Sequence, residues 1–179
     1  MKRLFYLVDQ MDSVEAISED LHREGISDWR FHILSQDAAG LFTRRLHSAT
    51  IFDRTDLARY TERGAIAGAL FALAFIGTAQ LSGALAMPSA AWIALFLFLT
   101  AAGTFIAGFG GISARNYRIR QFYDAIENGQ HLVMVDVLKK DEQRMKELMA
   151  ERHPEARLQR EASSFNNPFV EEDGKPHLF

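Results

Sequence analysis

The sequence predicts an α+β protein whose sheet domain is interrupted by a pair of membrane-spanning helices. Three observations lead to this fold class. Residues 64–114 contain no Asp, Glu, Lys, Arg or His. The residues before this stretch follow a strand, helix, strand pattern, and the residues after it follow the same pattern again. One α/β domain, split in the sequence by an apolar hairpin, accounts for all three.

The uncharged stretch divides into two apolar runs, residues 64–87 and residues 90–112, which are separated by Pro88 and Ser89. A bilayer core about 30 Å thick is crossed by a helix of roughly 20 apolar residues. Each run is long enough to cross with some tilt. We therefore predict a transmembrane helical hairpin over residues 64–114.

Small residues recur every four positions within both predicted spans. This spacing lets two helix backbones approach closely, and in lipid such packing replaces the hydrophobic gain available in water. A neighbouring stripe of Ala65, Ala69 and Gly77 leaves room for a second partner, so we predict a homo-oligomer. The helix-packing candidates are Gly64, Gly68, Ala72, Gly103, Ala107 and Gly111.

Residues 1–50 read as the first half of a cytoplasmic α/β domain. Residues 4–8 are apolar and aromatic, which predicts a buried strand. Asp12 and Glu15 have the spacing of a capping box at the start of a helix that Gly25 ends. The next strand is predicted from apolar residues that alternate with polar ones, namely Trp29, Phe31 and Ile33. A connector without clear periodicity follows over residues 38–50.

Residues 115–160 read as the second half of the same domain. An amphipathic helix over residues 117–128 precedes a strand at residues 131–138, a helix at residues 141–153 that Asp141 caps, and a short strand at residues 155–160. Two β-α-β units in one sheet predict a ferredoxin-like plait. The remaining predicted segments are an interfacial helix over residues 51–63 and a flexible tail over residues 161–179.

Arginines flank the uncharged stretch on both outer sides, whereas the link between its two runs has no positive charge. Positive residues beside membrane spans are retained in the cytoplasm. Both termini are therefore predicted to be cytoplasmic, which also lets the two halves of the split domain meet. The flanking arginines are Arg54, Arg59 and Arg63 before the hairpin and Arg115, Arg118 and Arg120 after it.

Composition limits the possible functions. The formal net charge of −3 gives no sign of a nucleic-acid binder. Because the chain has no cysteine, disulfides, thiolate catalysis and Cys-ligated metals are excluded. The sequence has no nucleophile elbow, phosphate-binding glycine loop or zincin motif, so it predicts neither an enzyme nor a cofactor.

Three polar residues on predicted strands are the candidates for a further site. His32 and His131 would approach each other if their strands pair, although a zinc site would need more ligands than these two. Asp136 is a carboxylate within an apolar strand, where either a functional role or a structural ion pair would explain it. The structural interpretation is favoured for all three.

Several short motifs, spread over residues 1 to about 157, resemble a bacterial family of small two-span membrane proteins of unknown function. Members of that family are sometimes labelled magnesium transporters. The resemblance implies an inner-membrane location in bacteria and supplies no catalytic residue. The motifs are Arg3-Leu4-Phe5-Tyr6-Leu7-Val8, His32-Ile33-Leu34, Thr55-Asp56-Leu57, Glu62-Arg63-Gly64, Asp124-Ala125-Ile126-Glu127-Asn128-Gly129-Gln130, Met134-Val135-Asp136-Val137 and His153-Pro154-Glu155-Ala156.

Three functional hypotheses follow. The favoured one is a membrane-anchored, self-associating structural or regulatory module whose partners are the lipid bilayer and other copies of the chain. The alternative is an oligomeric ion channel or transporter, with magnesium as a candidate ion. The third, an enzyme with a membrane anchor, is disfavoured because no catalytic constellation is visible.

Overall fold

The computed structural model describes residues 1–83 and 85–163. In chain order, its helices and strands are β1 (Lys2–Val8), α1 (Met11–Arg23), β2 (Phe31–Leu34), α2 (Ala38–Thr43), α3 (Ile51–Arg54), α4 (Leu57–Ser82), α5 (Ser89–Ser113), α6 (Tyr123–Glu127), β3 (His131–Val137), α7 (Glu142–Arg152) and β4 (Arg157–Ser163). Short 3₁₀ turns precede β2 and α6. The protein is therefore a mixed α+β fold, as predicted.

The chain forms two compact units. Among the described residues, the sheet unit consists of residues 1–50 and 119–163, and the hairpin unit contains residues 51–118. The apolar helices α4 and α5 thus interrupt the sheet unit only in the sequence. Each unit is described by itself below.

The sheet unit contains a four-stranded antiparallel sheet with the strand order β2-β3-β1-β4. The central pair joins the segments before and after the hairpin, since Lys2 lies opposite Val137 and Val8 opposite His131. A bulge between Phe5 and Tyr6 shifts the register of β4 on β1. Because β1 and β3 come from different halves of the sequence, neither half can form this sheet alone.

Both faces of the sheet are covered. On one face, α1 and α7 bury the side chains of Leu4, Tyr6 and Val135. On the other face, residues 119–126 cover Phe5, whose ring stacks on Phe122 at 5.8 Å between centroids. Alternation along the pleat sends successive side chains of β1 to these two cores, which explains why its run of apolar residues is continuous.

Two predictions at the start of the sheet unit are wrong. Trp29 lies in a 3₁₀ turn and is 84% exposed, whereas Phe31 and Ile33 occupy β2 as predicted and are buried. Asp12 does not cap α1, whose N-cap is Gln10 without a side-chain hydrogen bond. The carboxylate of Asp12 instead forms an ion pair with Arg44, at 2.5 Å.

Several boundaries also differ from the prediction. The connector over residues 38–50 contains α2, and the helix expected at residues 117–128 is reduced to α6 and a preceding 3₁₀ turn. Asp141 is the N-cap residue of α7, but its side chain makes no capping bond. Strand β4 includes residues 161–163, which were predicted to belong to the tail. The rest of the predicted flexible tail lies outside the described residues.

The hairpin unit is built on α4 and α5, both long and apolar enough to span a membrane. The segment predicted as an interfacial helix, residues 51–63, contains the short helix α3 and the first turns of α4, which is continuous from Leu57 past Gly64. It ends at Ser82, before the predicted end of the first run, because Gly83 adopts the left-handed conformation with φ of 65°. Helix α5 begins at Ser89, directly after Pro88.

Candidate functional site in the helical hairpin

Helices α4 and α5 are in backbone contact at their glycines. A Cβ atom added at Gly64 would lie 2.5 Å from the carbonyl oxygen of Gly103, and one added at Gly68 would lie 2.9 Å from that of Leu99. One added at Gly103 would lie 2.8 Å from the carbonyl oxygen of Gly64. Since real Cβ atoms do not approach backbone so closely, only glycine fits at these positions without moving a helix.

The other helix-packing candidates lie along the same contact. The Cβ of Ala107 would be 2.4 Å from a Cβ added at Gly64, and a Cβ at Gly111 would be 2.7 Å from the Cβ of Tyr60. Ala72 is completely buried. The structure therefore brings the stripe on α4 and the stripe on α5 together within one hairpin. Gly77, on the neighbouring stripe, has open space where a Cβ would project.

The large side chains of the hairpin point away from this contact. Among the 18 most apolar consecutive residues of α5, none is buried. In the corresponding stretch of α4, only 22% are buried. A core helix of a water-soluble domain would bury most of such a stretch. The exposed side chains include Leu70, Phe71, Leu73, Leu81, Ile93, Leu97, Phe98, Phe105, Ile106 and Phe109.

The base of the hairpin, where α4 begins and α5 ends, is held together by short backbone pairing. The amide of Asp56 donates to the carbonyl of Ala114 at 3.0 Å, and the amide of Asn116 donates to that of Arg54 at 3.0 Å. The Asp56 carboxylate accepts a further bond from the amide of Tyr117 at 3.2 Å. These bonds fix the separation of the two helix ends.

Charged side chains are buried at this base. Arg59 is only 3% exposed, and its guanidinium carbon lies 4.6 Å from the ring centre of Tyr117. Asp53 and Asp56 are buried in the same unit. The sequence interpretation used Arg59 only as a sign of membrane orientation and missed this role. The sequence feature that could have indicated the burial of Arg59 is the pair Asp53 and Asp56 just before α4, because a buried cation needs a charged partner.

Three threonine hydroxyls line a depression of about 530 Å³ on one side of the hairpin. The hydroxyls of Thr61, Thr100 and Thr104 each donate to the carbonyl four residues earlier, at 2.7–2.8 Å. Their hydrogens are therefore used within the helices, and only oxygen lone pairs face the depression. The rest of the lining is apolar or small, namely Leu57, Leu97, Ala101, Phe105, Gly108, Phe109 and Ile112.

His32 and His131 do not form a site, although their strands pair. His32 lies opposite Met134 in the register, so it shares a face with Met134, while His131 belongs to the other face with Val133. Ser35 Oγ lies 2.8 Å from Nδ1 of His131 and accepts from the amide of Asp37. Burial lowers the pKa of His131, partly offset by the negative charges of Asp37 and Asp9.

Asp136 has a structural partner. The Nε and Nη2 atoms of Arg3 donate to its two carboxylate oxygens at 2.9 and 2.7 Å, across adjacent strands in direct register. Such a bidentate pair explains a carboxylate in an otherwise apolar strand. Asp136 therefore links β3 to β1 through this ion pair.

A metal centre is also not evident in the described part of the chain. No group of three or more His, Asp or Glu side chains there could hold an ion. No family model, curated protein or solved structure matches the chain. The hairpin, with its glycine contact, apolar exterior and charged base, is thus the feature on which a functional interpretation rests.

Proposed function

We propose that the protein is a membrane-anchored, self-associating structural or regulatory module with a cytoplasmic sheet domain. The observation that carries this proposal is the inverted packing of the hairpin, which buries glycine and alanine and exposes leucine and phenylalanine. An exposed apolar surface of this extent is typical of contact with lipid or protein. At 1.5 Å per residue, the uncharged part of α4, residues 64–82, measures about 29 Å, which matches a hydrocarbon core of about 30 Å.

The proposed location is the bacterial inner membrane, with both termini in the cytoplasm. The arginines on the outer flanks of α4 and α5 support this orientation, because positive charges next to spans stay on the cytoplasmic side. The resemblance to small two-span bacterial membrane proteins agrees with it. In this orientation the link between Ser82 and Ser89 faces the periplasm.

The sheet unit is proposed to be a ferredoxin-like plait. The order β4-β1-β3-β2, read from the opposite edge, together with α1 and α7 on one face, supports this topology. The covering of the second face by residues 119–126 is an addition to a simple plait. With both faces covered, the domain's accessible features are its strand edges, loops and helix surfaces.

Self-association is proposed to use the threonine-lined depression. The glycine stripes of the two helices already face each other within one hairpin, so they are not available to a second copy. The depression remains open and has a floor that includes Gly108, which suits a helix from another subunit. A second copy would contribute the van der Waals contacts that lipid tails supply less well.

Cysteine labelling tests the membrane topology, and the chain has no native cysteine to interfere. In intact cells, Ser89→Cys should react with a membrane-impermeant thiol reagent, whereas Lys139→Cys should react only after the cells are permeabilised. Both positions are exposed in the structure, so accessibility within the protein does not distinguish them. Equal labelling of the two variants in intact cells would contradict the proposed topology.

Native mass spectrometry from mild detergent tests self-association. Ala101→Phe fills the depression without entering the contact between α4 and α5, and should shift the protein to smaller species. Ala74→Phe, on an exposed position of α4 outside the depression, is the control and should leave the assembly unchanged. A wild-type protein that is strictly monomeric in detergent and in lipid nanodiscs would exclude this part of the proposal.

An oligomeric ion channel or transporter is the second candidate, because the three threonine oxygens converge on one depression. Two helices cannot enclose a pore, so ions would have to pass between subunits. Charged groups normally mark ion pathways at membrane depth, and the stretch between Arg63 and Arg115 has none. Magnesium flux into liposomes containing the purified protein, lost in Thr100→Val, would favour the channel, and its absence would favour the structural module.

A further inference from the structure

Two aromatic side chains of the sheet unit are almost fully exposed to solvent. Trp29 is 84% exposed and Phe42 is 86% exposed. Both lie close to His47, whose ring is 6.5 Å from that of Trp29 and which lines an open depression together with Phe42. We call the surface formed by Trp29, Phe42, Arg45 and His47 the aromatic patch. A single exposed apolar side chain is ordinary, but two large ones beside the same depression indicate a contact surface.

The patch contains an arginine in an unfavourable backbone conformation. Arg45 has a φ of 56°, and among the residues described it is the non-glycine residue with a positive φ. It follows the C-cap of α2, where the amide of Leu46 bonds back to the carbonyl of Leu41 at 2.9 Å. Glycine normally occupies this position because side chains cost about 1 kcal/mol in the left-handed region. The cost of an arginine at this position is explained if its side chain takes part in binding.

Arg45 is exposed, whereas the neighbouring Arg44 is paired with carboxylates. Arg44, on the same turn, is paired with Asp12 and Glu15, each at 2.5 Å. Asp28 lies at the rim of the depression, and its Oδ1 is 2.7 Å from Nε2 of His22. Arg45 is exposed and forms no ion pair within residues 1–83 and 85–163.

We propose that the aromatic patch binds the surface of an anionic bilayer. Tryptophan is preferred at the level of the lipid headgroups, where its ring is half apolar and its N–H remains hydrated. An arginine beside it is attracted to anionic lipid and can extend its charge to the phosphates. The patch combines these features with an exposed phenylalanine that can enter the acyl boundary.

The inference rests on the proposed function, since it requires that α4 enters a membrane. Leu57, the first residue of α4, lies ten positions after His47, so the two are at most about 36 Å apart. The patch is therefore tethered close to any bilayer that α4 enters, which raises its effective concentration at the lipid surface. A second copy of the patch fits less well, because two-fold pairing would bring Arg45 towards Arg45.

The two tryptophans of the chain allow a test with an internal reference. Trp92 lies in α5 and reports on insertion of the hairpin, whereas Trp29 reports on the patch. Full-length Trp92→Phe and Trp29→Phe proteins are reconstituted in nanodiscs with anionic lipids brominated near the headgroup end of the acyl chain. Fluorescence quenching of each remaining tryptophan is measured, with acrylamide as the aqueous quencher.

We expect bromolipid quenching of both tryptophans. Quenching of Trp92 without Trp29 would overturn the inference and leave the proposed function intact. Absence of quenching at both would overturn the proposed function as well. Trp29 shielded from acrylamide but not quenched by bromolipid would identify a protein occupant, such as a second copy, and would also overturn the inference.

Arg45→Gly, made in the Trp92→Phe protein, separates a lipid contact from a structural role. Glycine accepts the positive φ, so the variant should be at least as stable to heat as its parent. Its Trp29 should nevertheless associate with the bilayer roughly fivefold less at a given anionic lipid content, the effect of one lost cation near a charged surface. Unchanged dependence on anionic lipid in Arg45→Gly would show that Arg45 does not serve lipid binding.

Discussion

The sheet unit and the hairpin unit bury opposite kinds of residue. The interior of the sheet unit consists of large apolar and aromatic side chains such as Phe5 and Ile33. The interior of the hairpin unit consists of glycine and alanine between the helices, with Arg59 and two aspartates at the base. The large apolar side chains of the hairpin unit are on its outside. The two units of the chain therefore have opposite packing patterns.

Under the proposed membrane location, the difference follows from the solvent around each unit. In water, removing apolar surface contributes about 25 cal/mol per Å², so the largest side chains go inside. In lipid this gain is absent, and helices associate through close packing, which small residues permit. The exposure of Phe71 and the burial of Gly68 agree with the proposed membrane location of the hairpin.

The largest expected effect comes from truncating one phenylalanine in each unit. Phe5→Ala should lower the free energy of unfolding of the sheet unit by about 3–5 kcal/mol, because Phe5 is fully buried and stacked on Phe122. Hydrogen exchange of the β1 amides in the full-length protein measures this loss. Phe71→Ala, at a residue 61% exposed, should leave those amides unaffected. Similar losses in the two variants would contradict the contrast between the units.

A second pair of variants compares two glycines in α4. Gly64→Ala places a Cβ 2.4 Å from that of Ala107, and overpacking of this kind costs about 1–3 kcal/mol. Gly77→Ala enters open space and should be neutral or stabilising by up to about 1 kcal/mol, since alanine favours helix. The midpoint of unfolding in a titration with sodium dodecyl sulfate measures both. If both variants had the same midpoint, the close contact between α4 and α5 would be in question.

The hairpin was the more predictable unit. The absence of charge between Arg63 and Arg115 indicated two long apolar helices, and the four-residue spacing pointed to Gly68 and Gly103. The spacing could not indicate which helix each glycine faces, because packing within a hairpin and packing between copies require the same pattern. The early end of α4 at Ser82 depends on the φ of Gly83, and Ala and Gly within apolar runs carry little information about where a helix stops.

In the sheet unit, strands were predictable where apolar runs were continuous, as in β1 and β3. The prediction that Trp29 lies in a strand was wrong because its alternation with Phe31 and Ile33 does not show where the strand begins. The prediction that Asp12 caps α1 was wrong because its carboxylate pairs with Arg44, which is distant in sequence. The pairing of Asp136 with Arg3 required the register of β1 on β3, which no local pattern contains.

Tyr6 offers a third and smaller test in the interior of the sheet unit. Its hydroxyl is buried and has no hydrogen-bond partner in the described structure. Leaving such a group unsatisfied costs about 1–3 kcal/mol, so Tyr6→Phe should stabilise the sheet unit by about 1 kcal/mol at neutral pH, as measured by thermal unfolding. Ser18→Ala, at a buried hydroxyl that lies 3.5 Å from His22, is the matched hydroxyl deletion and should not stabilise. A destabilised Tyr6→Phe would indicate that the hydroxyl has a partner.

The same residue also predicts an alkaline effect. Burial raises the pKa of Tyr6 from 10.0 to about 12, with a smaller lowering by the charge of Lys146. A raised pKa means that the folded state holds its proton more tightly than the unfolded state. The resulting stability is fully present below pH 10 and is lost as the pH rises towards 12. Tyr6→Phe should remove this loss between pH 10 and 12.

The smallest expected effect concerns His131 and has the opposite dependence on pH. Burial lowers the pKa of His131 from 6.5, so the folded state binds its proton less readily than the unfolded state. Its contribution to stability is complete above pH 6.5 and decreases as the pH falls from there through the lowered pKa. Substitution by an uncharged amide in His131→Gln should flatten the stability of the sheet unit on the acidic side of pH 6.5. His22→Gln, at a half-exposed histidine on α1, is the control and should retain the slope. A slope that persists in His131→Gln and disappears in His22→Gln would assign the acid sensitivity to the surface of α1 instead of the buried end of β3.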